Sequence, residues 1–519
     1  MDKIIKIRDE YLYIPIQAEK EEKILEIYCL SEDGSKGKVM ELSVPVGEEI
    51  NGNYAYDYMA RFPVKQFTDK TFILKGDFPE AFYKEVTNSS YRAYEPLRRP
   101  SIHFTPERGW LNDPNGLVYQ DGLYHMYYQY NPCNTKWNNM SWGHAVSRDL
   151  LSWEHRDLVM IPDEDGMIFS GSGMRNDRQM LGLPKEALLF FYTAAGGTTR
   201  WSKNKLFVQK LAYSIDGGNT LIKTDQGRLE TISGENRDPK VFWHEESKAY
   251  IMCLWIKDNQ FAILRSSDLL KWEISDRLIF DGAWECPDLI PLRAEDGSLH
   301  YIFWTADGYY YWGNFDGFHF RTDGVRHLAY INKIPYAAQT FSGVKDRVIS
   351  VPWLRISRCN RLFTGAMGIP RELSVKFDKG RPLLVQKPVR ELESKRRLVY
   401  NSVMDKSEEP IFTYQRRDNL AVWLEVTVLK DTHLCQWNIC GSKISYNRDT
   451  GMLTVNQEEY FIGKQILDFT FLIDDVILEI SANRDIIQGV FEISESIQKI
   501  SFHRKGFEEI RLYEIVMEN

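Results

Sequence analysis

SRDLLSWE, residues 147–154, returns almost unchanged as SSDLLKWE at 266–273, and this pair decides how the middle of the chain is read. Weaker copies stand at SIDGGNTL (214–221) and NFDGFHF (314–320). The recurring Asp149, Asp216, Asp268 and Asp316 lie 67, 52 and 48 residues apart, and an aromatic follows four positions later at Trp153, Trp272 and Phe320. Around them, short β-branched and aromatic runs alternate with Gly, Asp, Asn and Pro clusters, and long amphipathic helical patterns are nearly absent. A period of about 50 residues in an all-β chain indicates propeller blades, small sheets that bury their faces against one another. Residues 101–383 have room for five of them.

Outward from this region the pattern changes. Residues 1–88 carry YLYIPI, KILEIYCL, KVMELSVPV and TFILKG, which predict a small β-sandwich-like accessory domain. The polar SSYRAYEPLRRP (89–100) reads as a linker. Residues 384–397, with the helical character of KPVRELESKRR, read as a second linker. Residues 398–519 return to alternating runs such as LAVWLEVTVL and EIRLYEIV, as expected of a C-terminal β-sandwich with one buried face per sheet. The expected fold is therefore all-β: a five-bladed β-propeller followed by a β-sandwich, with an additional small N-terminal domain.

Composition narrows the function. A net charge of −8 without a basic stretch argues against nucleic acid as partner. No run of 18 apolar residues exists to make a membrane-spanning helix. The seven cysteines (29, 133, 253, 286, 359, 435, 440) are odd in number and lack CxxC spacing, so neither a disulfide framework nor a zinc site is expected. MDKIIKIRDEYLYIPI, broken by charges, has no apolar signal core, and the expected location is cytoplasmic. The 13% aromatic content suits both β-structure and a surface for sugar rings.

Three acids stand out from the rest: Asp113 in WLNDPNG, Asp238 in ENRDPKVFW and Glu285 in WECPDL. Each precedes a blade marker by a similar distance: 36 residues to Asp149, 30 to Asp268 and 31 to Asp316. Equal phase in different blades brings side chains to one end of a shared central channel. Each acid also lies within two residues of a proline, which excludes a helical backbone there. Taken singly, each has a plain alternative as a turn former. Taken together, paired carboxylates at a channel mouth point to glycoside hydrolysis.

At these residues the chain resembles glycoside hydrolase family 32, which contains the invertases, levanases, inulinases and other β-fructosidases. WLNDPNG, FSGS (169–172), RDP (237–239) and WECPDL are similar to its ordered signature blocks. YAAQTF (336–341) and GAMGIPREL (365–373) resemble later ones, and LDFTFLIDDVILEI (467–480) resembles a block of its C-terminal sandwich more loosely. Residues 1–88 resemble the extra domain of some bacterial members only faintly.

The resemblance implies release of terminal non-reducing β-D-fructofuranosyl residues from sucrose, fructo-oligosaccharides or fructans, with retention. Asp113 is then the nucleophile, Glu285 the general acid/base and Asp238 the transition-state stabiliser, with no cofactor and no metal. Glu285 should hold a proton at rest, with Trp284 and Asp288 as contributors. Asn112, Gln129 and Ser170 are expected to meet sugar hydroxyls, and Trp110, Trp137 and Phe169 to form apolar walls. Arg237 is expected to bond Glu285 or a sugar hydroxyl. His103, His125 and His144 are assigned structural roles, and the strand-like run at Tyr309, Tyr310 and Tyr311 is assigned to a blade.

Fructosyl transfer to a sugar acceptor shares the same intermediate, and a non-catalytic fructan-binding protein stays as the reading from another class. Propellers that cleave arabinose or xylose also use three acids, but the WLNDPNG and WECPDL contexts disfavour them. Three roles stay open for the first domain: binding sugar, covering the rim of the site, or building a homo-oligomer through a β-sandwich.

Overall fold

The computed structural model describes the chain except residues 1, 51, 358–359, 404–408, 418–419, 495 and 518–519; Cys359 thus lies outside the described residues. Strands dominate, and the single α-helix among the described residues is the short Glu80–Glu85.

Five consecutive antiparallel sheets form the blades. Their innermost strands are Gly109–Gln120 (blade I), Met167–Arg175 (II), Arg237–His244 (III), Asp288–Arg293 (IV) and Pro335–Thr340 (V). Each of the first four blades places its recurring aspartate between its third and fourth strands. There the carboxylate caps backbone amides: Asp149 accepts from Leu151 and Ser152, Asp268 from Leu270 and Lys271, and Asp316 from Phe318 and His319. Leu150 and Leu269 take the same left-handed φ, +64° and +65°, so the repeated octapeptide is one repeated outer turn. Blade V lacks the marker because its outer strands, Arg371–Asp378 and Arg381–Pro388, are joined by a tight turn at Lys379 and Gly380.

That outer strand runs to Pro388, so residues 384–388, expected in the second linker, are part of the last blade. Pairing with Arg371–Asp378 gives their backbone groups a ladder that a free connector would lack. Only Arg390–Lys395 forms a helical turn.

Two further cores flank the propeller. Strands between Lys3 and Ser89 build a four-stranded and a three-stranded sheet around one apolar cluster that includes Leu12, Leu25, Phe62 and Phe82. Tyr54 and Tyr58 are buried there, while Tyr56 is exposed. The C-terminal region forms two six-stranded sheets around Trp437, Tyr446, Phe469 and Phe471.

Blade V returns to blade I at several points. Phe363–Thr364 pairs in parallel with the start of Gly109–Gln120, and Ser342 exchanges backbone hydrogen bonds with Leu117 and Tyr119. Two buried carboxylates of the C-terminal sandwich complete the closure. Asp474 accepts from the amides of Ser101, Ile102 and His103 and lies 2.9 Å from His103 Nδ1. Glu479 lies 3.0 Å from His103 Nε2 and accepts from Arg371 of blade V at 2.5 Å. Burial disfavours charge on His103, but these two partners outweigh it and push the imidazole up to about 9. Burial likewise opposes charge on the acids. The His103 hydrogen bond to Asp474, and the Arg371 charge beside Glu479, nonetheless hold each near 2.

The imidazolium stabilises the fold fully below its ordinary value of 6.5, and that contribution is lost as pH rises through about 9. The carboxylates contribute above their ordinary values of 3.8 and 4.5, and lose this only as pH falls through about 2. His103→Ala is expected to cost about 3–5 kcal/mol near pH 6, the scale for breaking a buried ion pair, and less towards pH 10. Calorimetric unfolding of both proteins across this range checks it; a gap that stays constant with pH would contradict the clamp.

Candidate active site

The innermost strands of blades I, II, III and V share one irregularity near their starts. Register shifts against the second strand fall at Leu111/Pro114, Ile168/Gly171, Arg237/Lys240 and Tyr336/Gln339. A bulge of this kind interrupts the ladder and re-aims the side chains it contains. The bulges contain Asn112 and Asp113, Phe169 and Ser170, and Asp238 and Pro239, which explains why residues from separate blades meet. Blade IV supplies Glu285 and Cys286 immediately before its inner strand. Asp238, Glu285 and Cys286 have φ of +65°, +44° and +42°, left-handed conformations that cost non-glycine residues about 1–2 kcal/mol each.

The three acids line one cleft of about 590 Å3. Ser170 Oγ donates to Asp113 Oδ2 at 2.6 Å. Cys286 lies between the aspartates, its Sγ 3.7 Å from Asp113 Oδ2 and 3.5 Å from Asp238 Oδ2, and its amide donates to Asp238 at 3.2 Å. Glu285 faces them with a different set of partners. Arg237 donates to its Oε1 through Nε and Nη2, at 3.0 and 2.6 Å, while Tyr336 donates to Oε2 at 2.8 Å. The guanidinium stacks on Trp255 at 3.9 Å, which fixes the plane of the fork.

Desolvation pushes Asp113 up to about 6, aided by the negative charge of Glu285 and opposed by the Ser170 hydroxyl. Desolvation, followed by the charge of Glu285, raises Asp238 to about 7 against the pull of Arg237. Glu285 is held by Arg237 and Tyr336 rather than by its neighbours along the chain. Asp288, expected beside it, lies deeper in the channel and is bound by Thr340 and by Lys240 at 3.0 Å. Trp284 leans on Trp255, with 5.1 Å between ring centroids.

The other expected contacts divide. Asn112, Gln129, Trp137, Phe169, Ser170 and Arg237 line the cleft. Gln129 donates to the Ile168 carbonyl, and its Oε1 is buried without a partner, an acceptor free for a ligand hydroxyl. The Ser170 hydroxyl is spent on Asp113, and Arg237 on Glu285. Trp110 is not part of the lining: its indole donates to Asn112 Oδ1 at 2.9 Å and so orients that amide. His125 and His144 pair within the core of blade I, and Tyr309–Phe315 is a strand of blade IV.

Met140, Phe207, Glu235, Tyr336 and Trp353 also line the cleft and were not singled out as site residues. Cys286 was overlooked as well. Tyr336 occupies in blade V the phase that Arg237 occupies in blade III, so extending the count of phases to the last blade finds it. Phe207 follows a long loop and carries no such signal.

A ring of five sheets whose bulged inner strands deliver acids to one cleft is the architecture of a carboxylate-bearing propeller. Residues 103–388 match the model described as the glycosyl hydrolases family 32 N-terminal domain, and the chain belongs to glycoside hydrolase family 32. A levanase of Bacillus subtilis (strain 168) is 34% identical over 347 residues, 60% of this chain and 50% of that protein. The chain thus spans about half the length of the levanase it matches. The exo-inulinase structure from Aspergillus awamori superposes with a TM-score of 0.72 at 21% identity, over 82% of this chain and 100% of that one. A family 32 structure from Bifidobacterium adolescentis covers 99% of both chains, with a TM-score of 0.68 at 18% identity. At these identities the structural likeness is one of fold, and in the second case it includes the N-terminal domain.

An acid whose folded value is raised costs stability when it ionises. For Asp113 that cost begins above 3.8 and is complete once pH passes about 6. Asp113→Asn is therefore expected to be more stable than the parent at pH 7.5, by up to about 2–3 kcal/mol, and to lose most of that advantage at pH 4. Denaturant titrations at the two pH values check this; an equal difference at both would contradict the burial of this charge.

Proposed function

We propose that the protein is a retaining β-fructofuranosidase that releases terminal fructosyl residues from sucrose or fructo-oligosaccharides. One observation carries the reading: carboxyls from three different blades are held around one cleft with distinct partners. The names of the relatives, a levanase and an exo-inulinase, support the substrate class.

In this reading Asp113 attacks the anomeric carbon while the protonated Glu285 donates its proton to the departing oxygen, leaving a fructosyl ester on Asp113. A water molecule then attacks the same anomeric carbon, Glu285 takes its proton, the bond to the Asp113 carboxylate breaks, and fructose leaves with the original configuration. Asp238 accepts hydrogen bonds from ring hydroxyls, contacts that strengthen as positive charge develops on the sugar. Substrate hydroxyls also donate to the poorly solvated aspartates and so favour their ionised forms. Tyr336 and Arg237 hold the carboxyl of Glu285 in place for both transfers.

Hydrolysis is preferred to transfer only as far as water reaches the ester, so oligosaccharides accumulating at high sucrose would favour the transferase reading. We also place the protein in the cytoplasm, where its described cysteines, all free and mostly buried, would stay reduced.

Glu285→Gln keeps the shape and removes the proton. Fructose release from sucrose is expected to fall by about 10²–10⁴-fold while the fold is retained, the usual weight of general acid–base catalysis. Release within a few-fold of the parent rate would remove Glu285 from the mechanism.

A further inference from the structure

Residues 132–140, PCNTKWNNM, join the second and third strands of blade I, and Lys136 and Trp137 are their exposed tip. Trp137 is 50% exposed and meets Phe169 edge-on at 6.0 Å, so its ring forms one wall of the cleft. The loop is polar and has no strand ladder of its own. Its anchors come largely from the N-terminal domain.

Glu22 accepts from Asn134 Nδ2 and from Asn138 Nδ2, at 2.6 Å each, so one carboxylate grips the loop on both sides of Trp137. The Glu19 amide donates to Asn134 Oδ1 at 3.1 Å. The Ser43 amide donates to Asn139 Oδ1 at 2.8 Å, and Asn139 Nδ2 returns a bond to the Ser43 carbonyl at 2.9 Å. Tyr58 donates to the Pro132 carbonyl, and the Cys133 side chain is buried in the apolar core of the N-terminal domain. The neighbouring rim loop of blade II is held in a similar way. Buried Glu41 accepts from the Trp201 amide at 3.0 Å, and the Lys38 ammonium stands 5.4 Å over the Trp201 ring, shortly before the cleft residue Phe207.

We propose that the N-terminal domain is a positioning element of the cleft. Glu22 fixes the Trp137 wall of the cleft, and so helps to set which substrate sugars are accepted. The substrate named here rests on the β-fructofuranosidase reading, whereas the grip on the loop does not. A carboxylate accepting two amide donors makes charge-assisted bonds, stronger than the neutral pairs around it. A wall touched equally in the ground and transition states acts on KM and leaves kcat nearly unchanged.

The test uses the full chain with Glu22→Ala, Glu22→Gln, Trp137→Ala and the Glu22→Ala/Trp137→Ala double variant. Amide hydrogen exchange over 132–140 and steady-state kinetics on sucrose and on inulin are measured for each. Glu22→Ala is expected to speed exchange in the loop alone, and to raise KM about tenfold with kcat within about twofold. Glu22→Gln, which retains one acceptor oxygen, falls between. In the Trp137→Ala background, loss of Glu22 adds nothing to KM. Should Glu22→Ala fail to fold, Asn138→Ala removes one arm of the grip from the loop side and carries the same readouts. Unchanged exchange in the loop, or the same rise in KM with Trp137 absent, overturns the proposal. A parent that releases no fructose sinks the β-fructofuranosidase reading instead, and loop exchange alone then decides the grip.

Discussion

The ring has to close, and the last blade must reach the first without a covalent bond to hold it. Backbone pairing between the two is short: Phe363–Thr364 lies against Gly109 and Trp110, Ser342 beside Leu117 and Tyr119, and the Met367 amide donates to the Phe104 carbonyl. The charged cluster of His103, Asp474, Glu479 and Arg371 ties the entry of blade I to blade V through the C-terminal sandwich. The apolar core is continuous across the same seam: Leu111, Ile349, Trp423 and Leu472 pack in one cluster. The sandwich is thereby part of the closure of the propeller, and the geometry of the cleft depends on it.

Closure has an electrostatic consequence. Inner strands brought to one axis leave little water for the side chains between them, so carboxylates placed there are desolvated by construction. Asp113 and Asp238 show this as raised proton affinity, while Glu285 is held by hydrogen bonds from Arg237 and Tyr336. Left-handed backbone at Asp238, Glu285 and Cys286 adds strain at the same place. Stability and function oppose each other here, as expected where a site is arranged for a ligand that completes its hydrogen bonding.

Much of this was legible in the sequence, for identifiable reasons. The octapeptide repeat is an outer turn whose aspartate caps amides, and such chemistry leaves a residue-level trace in four blades. The common phase of the three acids is a shared position at the start of an inner strand, within a bulge for Asp113 and Asp238 and just before the strand for Glu285. Blade V carried no repeat because its outer turn is short, and its connection to the next domain was misjudged by a few residues. The partners of Glu285 were not visible, because sequence shows neighbours along the chain, not Arg237 and Tyr336 reaching across from other blades. The part played by residues 19–58 in holding the Trp137 loop was likewise hidden, since Glu22 and Asn138 are far apart in sequence and neither belongs to a motif.

Asp113 is proposed to carry the fructosyl group. Rapid acid quenching during sucrose turnover, followed by peptide mass spectrometry, reads this directly. The expected result is a peptide one fructosyl residue heavier, with the modification on Asp113. Modification of Asp238 or Glu285 instead, or release of fructose with inverted configuration and no adduct, would contradict it.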